Sequence, residues 1–396
     1  MFESVSLREV AADHGLVGGP FGSSLTGKDY TESGVPVIRG GNMGPGNSVS
    51  GEFAFVSVGK YENELSRNSA VPGDLVFTQR GTLGQVAIVP ETPYPVYVVS
   101  QSQMRLRVDK SRYDRRFVLY ACATSHFEQQ IRDNAIATGV PHINLGILTR
   151  LTIPSPPLLE QRAIAEVLGA LDDKIAANRR VVATCEGLSI ALAATGRDLR
   201  QLADIASRQV ESVNPASFGD ARVDLFSLPA FDEGRRPEKV EASIIKSNKV
   251  MLRQPCVLLT KLNPRIPRVW DIPELSDRLS LASPEFLALT PNACSSSVLW
   301  SVLCQARFLG ELSSLVAGTS GSHQRVRPEE VMRLDVTDPA SIDPGNRSAI
   351  NALGTVIVNL RAESRTLAEA RDSLLPLLMS GRVRVKDAET TVEGVV

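Results

Sequence analysis

The chain has 396 residues, of which 43% are hydrophobic and 22% charged, and its formal net charge is -1. This length is more than one hydrophobic core usually serves, so two or three globular domains are expected, and the composition is ordinary for a soluble globular protein rather than a disordered one. The near-neutral charge argues against a protein that coats nucleic acid through a general basic excess.

The sequence contains no recognisable N-terminal signal and no apolar run near the roughly 20 residues that span a bilayer. Its five cysteines are scattered, odd in number and never spaced as C-x-x-C. Neither a disulfide framework nor a zinc site is therefore indicated. We expect a cytoplasmic protein.

The stretch GGPFGSSLTGKDY, residues 18–30, comes close to the phosphate-loop pattern G-x-x-x-x-G-K-[ST] through Gly22, Gly27 and Lys28. The eighth position should carry a hydroxyl that ligates magnesium, but here it is Asp29, whose carboxylate would repel a triphosphate. The flanking residues also do not predict the buried strand and helix that such a loop connects. A glycine-rich surface loop, or a loop whose amides and Lys28 meet DNA phosphates, remains open.

Further along the chain, short alternating or apolar runs predict strands, and longer amphipathic runs predict helices. The strand candidates are VPVIRG, GDLVFTQR, VAIVP, VYVVSQSQMRLRV and VLLTKL, and RRFVLYACATSHFEQQIRD is predicted to be one helix. Long helices are predicted from Glu160 and from about Asn346. The fold class is therefore α/β (mixed α+β), with two globular domains that are each followed by a long helix.

An internal repeat of about 180–185 residues is the strongest signal in the sequence. TGVPH (138–142), RLTI (150–153) and a proline-rich break precede the first long helix, whereas TSGSH (319–323), RLDV (333–336) and another break precede the second. Upstream, LVFTQRGTLGQVAIV (75–89) corresponds to VLLTKLNPRIPRVW (257–270). The two halves are therefore interpreted as copies.

Both long helices carry an apolar stripe with heptad spacing. The positions in the first helix are Ile164, Leu168, Leu171, Ile175, Asn178, Val182, Cys185, Ser189 and Leu192. The equivalent positions in the second helix are Ala349, Leu353, Val356, Leu360, Glu363, Leu367, Ala370, Leu374 and Leu377. Polar Asn178 and Glu363 occur at equivalent places. Each helix could pack on its own domain, but we favour antiparallel pairing of the two helices, with Asn178 opposite Glu363 fixing the register.

Three segments make the sequence resemble the specificity (S) subunits of type I restriction-modification systems. They are PFGSSLTGKDYTESGVPVIRGGNM, GDLVFTQRGTLGQVAIV and, above all, ATGVPHINLGILTRLTIPSPPLLEQRAIAEVLGALDDKI, in which PPLLEQRAIAEVLGALD (Pro156–Asp172) is the most specific part. KLNPRIPRVW and LLPLLMSGRV fit the same family in the second half. The second linker, DPASIDPGNRSAI, departs from the family's PPLxEQ form.

The resemblance implies two target-recognition domains, each reading one half of a split double-stranded DNA target, with paired helices that set the gap. The expected boundaries are 1–157 and 197–343 for these domains, 158–196 and 344–382 for the helices, and 383–396 for a tail. The resemblance further implies a non-catalytic chain that binds two methyltransferase (M) subunits, joined by restriction (R) subunits. S-adenosylmethionine, ATP and Mg would be bound by those partners, with no cofactor or metal on this chain.

Candidate DNA contacts are side chains suited to phosphates or to base edges. In the first domain they are Ser23, Ser24, Lys28, Arg39, Asn42, Gln79, Arg80, Gln101, Gln103, Thr138, His142 and Asn144. In the second they are Lys261, Asn263, Arg265, Arg268, Ser320, Ser322, His323, Arg325 and Arg327, with Trp270 beside the first four. His142 and His323 could instead have a structural role.

The sequence contains no catalytic signature. It lacks the [DNS]-P-P-[YFW] motif of adenine methyltransferases, and H-E-x-x-H, G-x-S-x-G and G-x-G-x-x-G are also missing. Two alternatives to a DNA-reading subunit remain: an enzyme that binds a nucleotide at Gly22–Lys28, and a scaffold that has lost DNA reading.

Overall fold

The computed structural model describes residues 2–44, 46–137, 139–315 and 324–393, and it divides into two units. Unit 1 combines Met1–Ala177 with Glu363–Val396, and unit 2 is Asn178–Ala362. Each unit therefore contains one globular part and a portion of both long helices. The predicted domain boundaries differ from this division because they treat each helix as a separate segment, and they remain a prediction.

Two stacked sheets form the centre of unit 1. Their order is β2-β12-β9-β10-β6-β5 and β3-β7-β4-β11-β8, and a separate pair joins β1 to β13. The strands are β1 Ser4–Ser6, β2 Ala11–Gly18, β3 Tyr30–Thr31, β4 Val35–Ile38, β5 Met43–Gly44, β6 Ser48–Val49, β7 Ala54–Val56, β8 Ser69–Ala70, β9 Leu75–Thr78, β10 Val86–Ile88, β11 Tyr97–Val99, β12 Gln103–Val108 and β13 Thr152–Pro154.

Helices cover the free face of the larger sheet in unit 1. They are α1 Leu7–Val10, α3 Arg115–Cys122, α4 Ser125–Asn134, α5 Leu145–Leu148 and the first part of α6 Leu158–Ala193, whereas α2 Val58–Lys60 follows β7 of the smaller sheet. The segment predicted as one helix, RRFVLYACATSHFEQQIRD, is two helices, because Thr124 accepts a hydrogen bond from the Phe127 amide and caps α4.

The position of strand β9 between two cores explains why its sequence is continuously apolar. Leu75 and Phe77 pack in the core between the sheet and the helices, whereas Val76 packs in the core between the two sheets. A strand covered on both faces needs apolar residues at every position. In unit 2, the strand β20 (Cys256–Thr260) repeats this arrangement, with Val257 and Leu259 in one core and Leu258 in another.

Unit 2 also has two sheets, ordered β15-β23-β20-β21 and β16-β19-β22-β17-β18, and a separate pair of β14 with β24. The strands are β14 Leu199–Gln201, β15 Ala206–Gln209, β16 Ser212–Val213, β17 Arg222–Phe226, β18 Glu238–Glu241, β19 Lys249–Leu252, β20, β21 Val269–Ile272, β22 Ser280–Ala282, β23 Phe286–Pro291 and β24 Asp335–Thr337. Its helices are α7 Leu202–Ile205, α8 Leu228–Asp232, α9 Ser296–Leu303, α10 Ala306–Ser314, α11 Pro328–Met332, the end of α6, and α12 Pro344–Met379 as far as Ala362.

The long helices run antiparallel within unit 1. Lys174 of α6 lies 3.2 Å from Glu363 of α12, and Asp172, earlier in α6, pairs with Arg371, later in α12. The predicted α6 positions Ile164, Leu168, Leu171 and Ile175 are buried in one core with Leu367 and Leu374 of α12. The same core contains α3 and α4, so helix pairing and packing on the domain occur together here. The short helix α13, Val385–Glu393, follows in unit 1.

The helices are also antiparallel within unit 2, where Glu186 pairs with Arg361, and Asn346 donates a 3.1 Å hydrogen bond to Thr195. Val182 and Cys185 pack with Ile357, Leu353 and Leu360.

The prediction for Val356 is wrong, because this side chain is 40% exposed and its neighbour Ile357 is buried instead. Gly354 gives the reason. A Cβ atom built there would lie 2.4 Å from the Ser297 Oγ of α9, so α12 packs against the domain through Gly354 and its buried stripe shifts by one residue. The predicted Asn178–Glu363 pair would join the two units and stays a prediction. Within the described residues, no helix is long and apolar enough to cross a membrane.

Candidate nucleic-acid interface

Several predicted contacts of unit 1 meet at one edge of its larger sheet. Strand β9 ends at Thr78 opposite Gln103, where β12 begins, so the segments that follow and precede these strands are neighbours. The Gln79 amide donates to the Ser102 carbonyl over 2.7 Å, and the Ile143 amide donates to the Gln79 carbonyl over 3.0 Å. Arg80 and His142 form an antiparallel bridge beside them. We call this group of loops, residues 79–80, 101–102 and 142–144, the unit 1 loop edge.

The glycine-rich loop is attached to the same edge through one side chain. The Gln101 amide nitrogen donates to the carbonyls of Gly22, at 2.6 Å, and Leu25, at 2.9 Å. Gly22 has φ +54, a left-handed conformation that suits glycine. Ser23 and Lys28 are exposed and Ser24 is half-buried. Gln101 therefore has a positioning role, because it connects these candidate phosphate contacts to the loop edge.

Asp29, the residue that breaks the phosphate-loop pattern, has a structural role. Its carboxylate accepts hydrogen bonds from the amide and hydroxyl of Thr26, at 2.6 and 2.7 Å, and these bonds lower its pKa. The preceding strand β2 is antiparallel to β12, and a short 3₁₀ turn followed by β3 comes next. A nucleotide-binding loop instead connects a strand to a helix, so the local fold does not supply the context that the pattern requires.

Two predicted base contacts in unit 1 point into the protein. Asn42 is 2% exposed, accepts a hydrogen bond from the Arg39 amide, and donates to the carbonyls of Ser50 and Glu52 at 3.1 and 2.8 Å. Gln103 is fully buried and pairs with the Ser100 hydroxyl. The expectation that these amides face bases is therefore corrected, since Asn42 bonds to backbone groups and Gln103 is buried against a side-chain hydroxyl.

The remaining candidates of unit 1 lie near the surface. Arg39 is exposed and lies 5.8 Å from the Tyr30 ring centroid. His142 is half-buried, and its Nδ1 is 3.2 Å from the Val140 carbonyl oxygen. Asn144 is exposed and caps α5 by accepting from the Ile147 amide. Thr138 lies outside the described residues. The role of each in DNA binding stays a prediction.

Unit 2 repeats the hydrogen-bond pattern of the unit 1 loop edge. The Lys261 amide donates to the Glu285 carbonyl over 2.8 Å, and the Val326 amide donates to the Lys261 carbonyl over 3.1 Å. Leu262 and Arg325 form the equivalent bridge. We call residues 261–262, 285 and 325–327 the unit 2 loop edge.

This pattern fixes which residues of the two edges correspond. Gln79 is equivalent to Lys261, Ser102 to Glu285, His142 to Arg325 and Asn144 to Arg327. The sequence comparison instead aligned His142 with His323, which together with Ser320 and Ser322 lies outside the described residues. Sequence reasoning also missed Glu285, because it sought cations and amides and gave no weight to an acid.

Two predicted cations of unit 2 are held by carboxylates. Arg268 donates to both oxygens of Asp232 at 2.7 and 2.9 Å, which raises the pKa of Arg268. Arg325 donates through Nε and Nη2 to both oxygens of Glu285, at 3.2 and 2.8 Å. Lys261 is half-buried, and its burial lowers its pKa, as do the nearby cations. A duplex would have to compete with these carboxylates for Arg268 and Arg325.

Arg265 and Arg327 are exposed, and Asn263 has φ +51 with its amide donating to the Gln324 carbonyl. Trp270, expected beside these residues, is 2% exposed and packs against aromatic rings of the core. Arg265 and Arg327 are thus the unit 2 candidates most accessible to DNA.

Comparison with known proteins identifies the class of this chain. Residues 22–184 match the family model of the type I restriction modification DNA specificity domain. This chain carries that specificity domain. The match covers the unit 1 loop edge, the glycine-rich loop from Gly22 onward and α6 as far as residue 184.

Two relatives come from Methanocaldococcus jannaschii. The type I restriction enzyme MjaIX specificity subunit is 21% identical over 416 residues, covering 95% of this chain and 93% of the relative. The MjaVIII specificity subunit is 26% identical over 156 residues, covering 38% of this chain and 36% of the relative. In fold, the chain is similar to the S subunit of a type I restriction-modification system from M. genitalium, with a TM-score of 0.54, 14% identity and 96% of each chain covered.

The family prediction is confirmed, and the specificity domain makes this chain a DNA-recognition subunit of a type I restriction-modification system. Such subunits are not the catalytic ones. Consistent with that role, burial raises the pKa of the Cys122 and Cys304 thiols well above the ordinary range, so neither is an activated nucleophile. Within the ranges that the structure describes, no three His, Cys, Asp or Glu side chains form a metal-binding group.

Proposed function

We propose that the chain reads a bipartite DNA target, with one half contacted by the unit 1 loop edge and the other by the unit 2 loop edge. The repeated hydrogen-bond pattern at the two edges carries this proposal, because it presents equivalent residues of each unit at the same end of a buried strand. Side chains of the types suited to phosphates and base edges are concentrated there. Two similar loop edges on one chain are suited to binding two DNA half-sites.

We further propose that α6 and α12 hold the half-sites at a fixed separation. Each helix has 36 residues, which at 1.5 Å per residue is about 54 Å. Their ion pairs and buried apolar residues within each unit stabilise the antiparallel arrangement. Helices of this length could act as a spacer for a gap of several base pairs.

The proposed partners are two methyltransferase subunits, with restriction subunits added in the full complex. Val181 and Leu188 are spaced by two helical turns on α6 and are 46% and 47% exposed, which makes them candidate docking residues. Val167, an apolar residue earlier in α6, is buried and belongs to the unit 1 core, so it is not a docking candidate. S-adenosylmethionine, ATP and Mg would then be bound by the partners, in the cytoplasm. Asp substitutions at Val181 and Leu188 should weaken copurification of the methyltransferase subunit without unfolding the chain.

The test is to express the chain with its methyltransferase subunit and to map methylated adenines in the host DNA. One motif made of two short defined halves around a constant gap is the expected result. Arg80→Ala should then relax one half and Arg265→Ala the other. Arg253→Ala is a matched control, because Arg253 is bound by Glu211 near the opposite end of β20 from Lys261.

Two other outcomes would point elsewhere. Methylation without a motif would favour a scaffold that has lost DNA reading. Absence of a complex, together with ATP binding by the isolated chain, would favour the nucleotide-binding alternative at Gly22–Lys28. Asp29, which caps the turn there, is an argument against the second outcome.

A further inference from the structure

The two loop edges have the same backbone arrangement but different chemistry. The four equivalent positions are Gln79, Ser102, His142 and Asn144 in unit 1, and Lys261, Glu285, Arg325 and Arg327 in unit 2. The first set offers amide, hydroxyl and imidazole groups, whereas the second offers three cations and one carboxylate. Amides are suited to adenine, and arginine is suited to guanine. The two edges should therefore prefer different base pairs.

Glu285 is the unusual member of this set, because an acid at a DNA-binding edge would be repelled by phosphates. Its place is determined by the backbone: it lies in the tight turn before β23, where its amide donates to the Ser283 hydroxyl and its carbonyl accepts from Lys261. The side chain is 29% exposed. An acid held at such an edge can be accommodated if it accepts a hydrogen bond from a base amino group, and cytosine N4 is the group that Glu and Asp recognise.

The contact with Arg325 leaves both side chains able to bind a base pair. Arg325 has five N–H donors, and the two bonds to Glu285 use one on Nε and one on Nη2. Three donors remain, including both on Nη1, and the side chain is 58% exposed. Guanine offers O6 and N7 to two such donors. The carboxylate meanwhile restricts the guanidinium to one orientation, which reduces the side-chain entropy lost on binding.

We propose that Glu285 and Arg325 together read a G·C base pair in the half-site contacted by unit 2, with Arg325 donating to guanine and Glu285 accepting from cytosine. Lys261, next to both, contributes positive potential that offsets the carboxylate in the field of the phosphates. The equivalent Ser102 and His142 lack this charged pair, so the half-site read by unit 1 has no matching requirement. This inference rests on the proposed function, because it assumes that the unit 2 loop edge faces DNA.

The test compares methylation motifs of the assembled methyltransferase complex. Glu285→Gln places an amide against the Arg325 guanidinium and removes one acceptor. The expected result is that the preference for G·C at one position of one half falls by about tenfold or more, the discrimination that a bidentate contact supplies. The other half and the gap should not change. Arg325→Lys keeps the positive charge but loses the paired N–H donors of the guanidinium, so it should weaken the base preference at the same position.

Glu211→Gln is the matched control. Glu211 also binds an arginine through both oxygens, at 3.0 and 2.7 Å from Arg253, but near the opposite end of β20. This variant should keep the wild-type motif. If it relaxed the same position as Glu285→Gln, the effect would reflect lost stability, and the proposal would be overturned.

Three further results would also overturn it. The first is a bipartite wild-type motif in which neither variant changes any position. The second is an unchanged motif with tighter binding to every sequence, which would make Glu285 a general brake on phosphate binding. The third is a wild-type target without G·C in either half. In these cases the bipartite motif itself would still support the proposed function, whereas a wild type without such a motif would refute both.

Discussion

Gln161, in the PPLLEQ stretch, connects the beginning of the first long helix to the domain before it. It is 1% exposed, and its Oε1 accepts from the Asp114 amide at 2.9 Å while its Nε2 donates to the Pro156 carbonyl at 2.8 Å. A third contact, to the Arg112 carbonyl, is longer at 3.4 Å. Asp114 in turn caps α3 by accepting from the Phe117 amide. One amide side chain thus joins the starts of α6 and α3.

The substitution Gln161→Met keeps the unbranched shape of the side chain but removes both short hydrogen bonds. The Asp114 amide and the buried Pro156 carbonyl would lose their partner, and each unsatisfied buried group costs about 1–3 kcal/mol. Methionine recovers part of this by its apolar contacts. We expect unit 1 to lose about 3 kcal/mol of stability. Arg162→Ala, an exposed neighbour on α6, should change stability by about 0.5 kcal/mol or less.

Hydrogen exchange is the suitable assay, because a chain with two units need not unfold in a single transition. Peptides covering residues 110–122 and 156–168 should exchange roughly a hundredfold faster in Gln161→Met than in the wild type. Peptides of unit 2 serve as the internal control. If the Met variant exchanges like Arg162→Ala, or if unit 2 accelerates equally, Gln161 does not stabilise this junction.

Three further predictions concern charged groups. Lys28→Ala should weaken DNA binding by the assembled complex for all sequences. It should also lower the slope of log binding constant against log salt concentration by about one, measured by DNA titrations at several salt concentrations. An unchanged slope would contradict a phosphate contact. Asp74→Asn leaves Arg105, which is 4% exposed, without its carboxylate, and should cost unit 1 about 3–5 kcal/mol in a denaturant titration. If the free energy of unfolding of unit 1 fell by less than about 1 kcal/mol, the other hydrogen bonds of Arg105 would be enough to stabilise its buried guanidinium. Burial raises the pKa of Asp271, so the folded state holds its proton more tightly than the unfolded state, and stability falls as pH rises above about 4. Asp271→Asn should therefore exceed the wild type in stability at pH 7 and match it near pH 4, and parallel pH curves would refute this.

Strands β9 and β20 were predictable because burial on both faces leaves a direct signature in the sequence. The candidate VYVVSQSQMRLRV is instead two strands, β11 and β12, which belong to different sheets. LVFT at β9 and CVLLT at β20 are apolar or small at every position, as a strand between two cores requires. Thr78 and Thr260, at the same place in each repeat, end these strands and are both buried. The internal repeat in the sequence therefore predicted the two-domain architecture.

Features that depend on packing between elements could not be read from the sequence pattern. The prediction of one helix over 115–133 was wrong because the side chain of Thr124 caps a new helix, and Thr occurs in helix interiors as well as at caps. Val356 was placed on the buried stripe because the heptad pattern assumes a single packing partner. Gly354, against Ser297, adds a second partner and shifts the stripe to Ile357.

Residue type identified the loop edges but not the direction of each side chain. Asn42 and Gln103 have the amide chemistry that reads adenine, yet both are buried. Gln103 begins β12 and is followed by Met104, and successive strand residues face opposite sides, so a strand between two cores buries both. The position of Gln103 could therefore have been recognised. Asn42 could not, because its burial depends on a turn whose partners, Ser50 and Glu52, are 8 and 10 residues away.

Two candidate DNA contacts of unit 2 are neutralised by carboxylates, which is in keeping with the near-neutral charge of the whole chain. Arg268 and Arg325 are each bound to a carboxylate, so a phosphate gains little by replacing Asp232 or Glu285 unless its geometry is equally good. If the unit 2 loop edge contacts DNA as proposed, we expect weak binding to arbitrary DNA and a preference for a base pair that satisfies both the guanidinium and its carboxylate. The same ion pairs that lower affinity for any duplex would raise the ratio between specific and non-specific binding, which is the quantity that a DNA-recognition subunit must maximise.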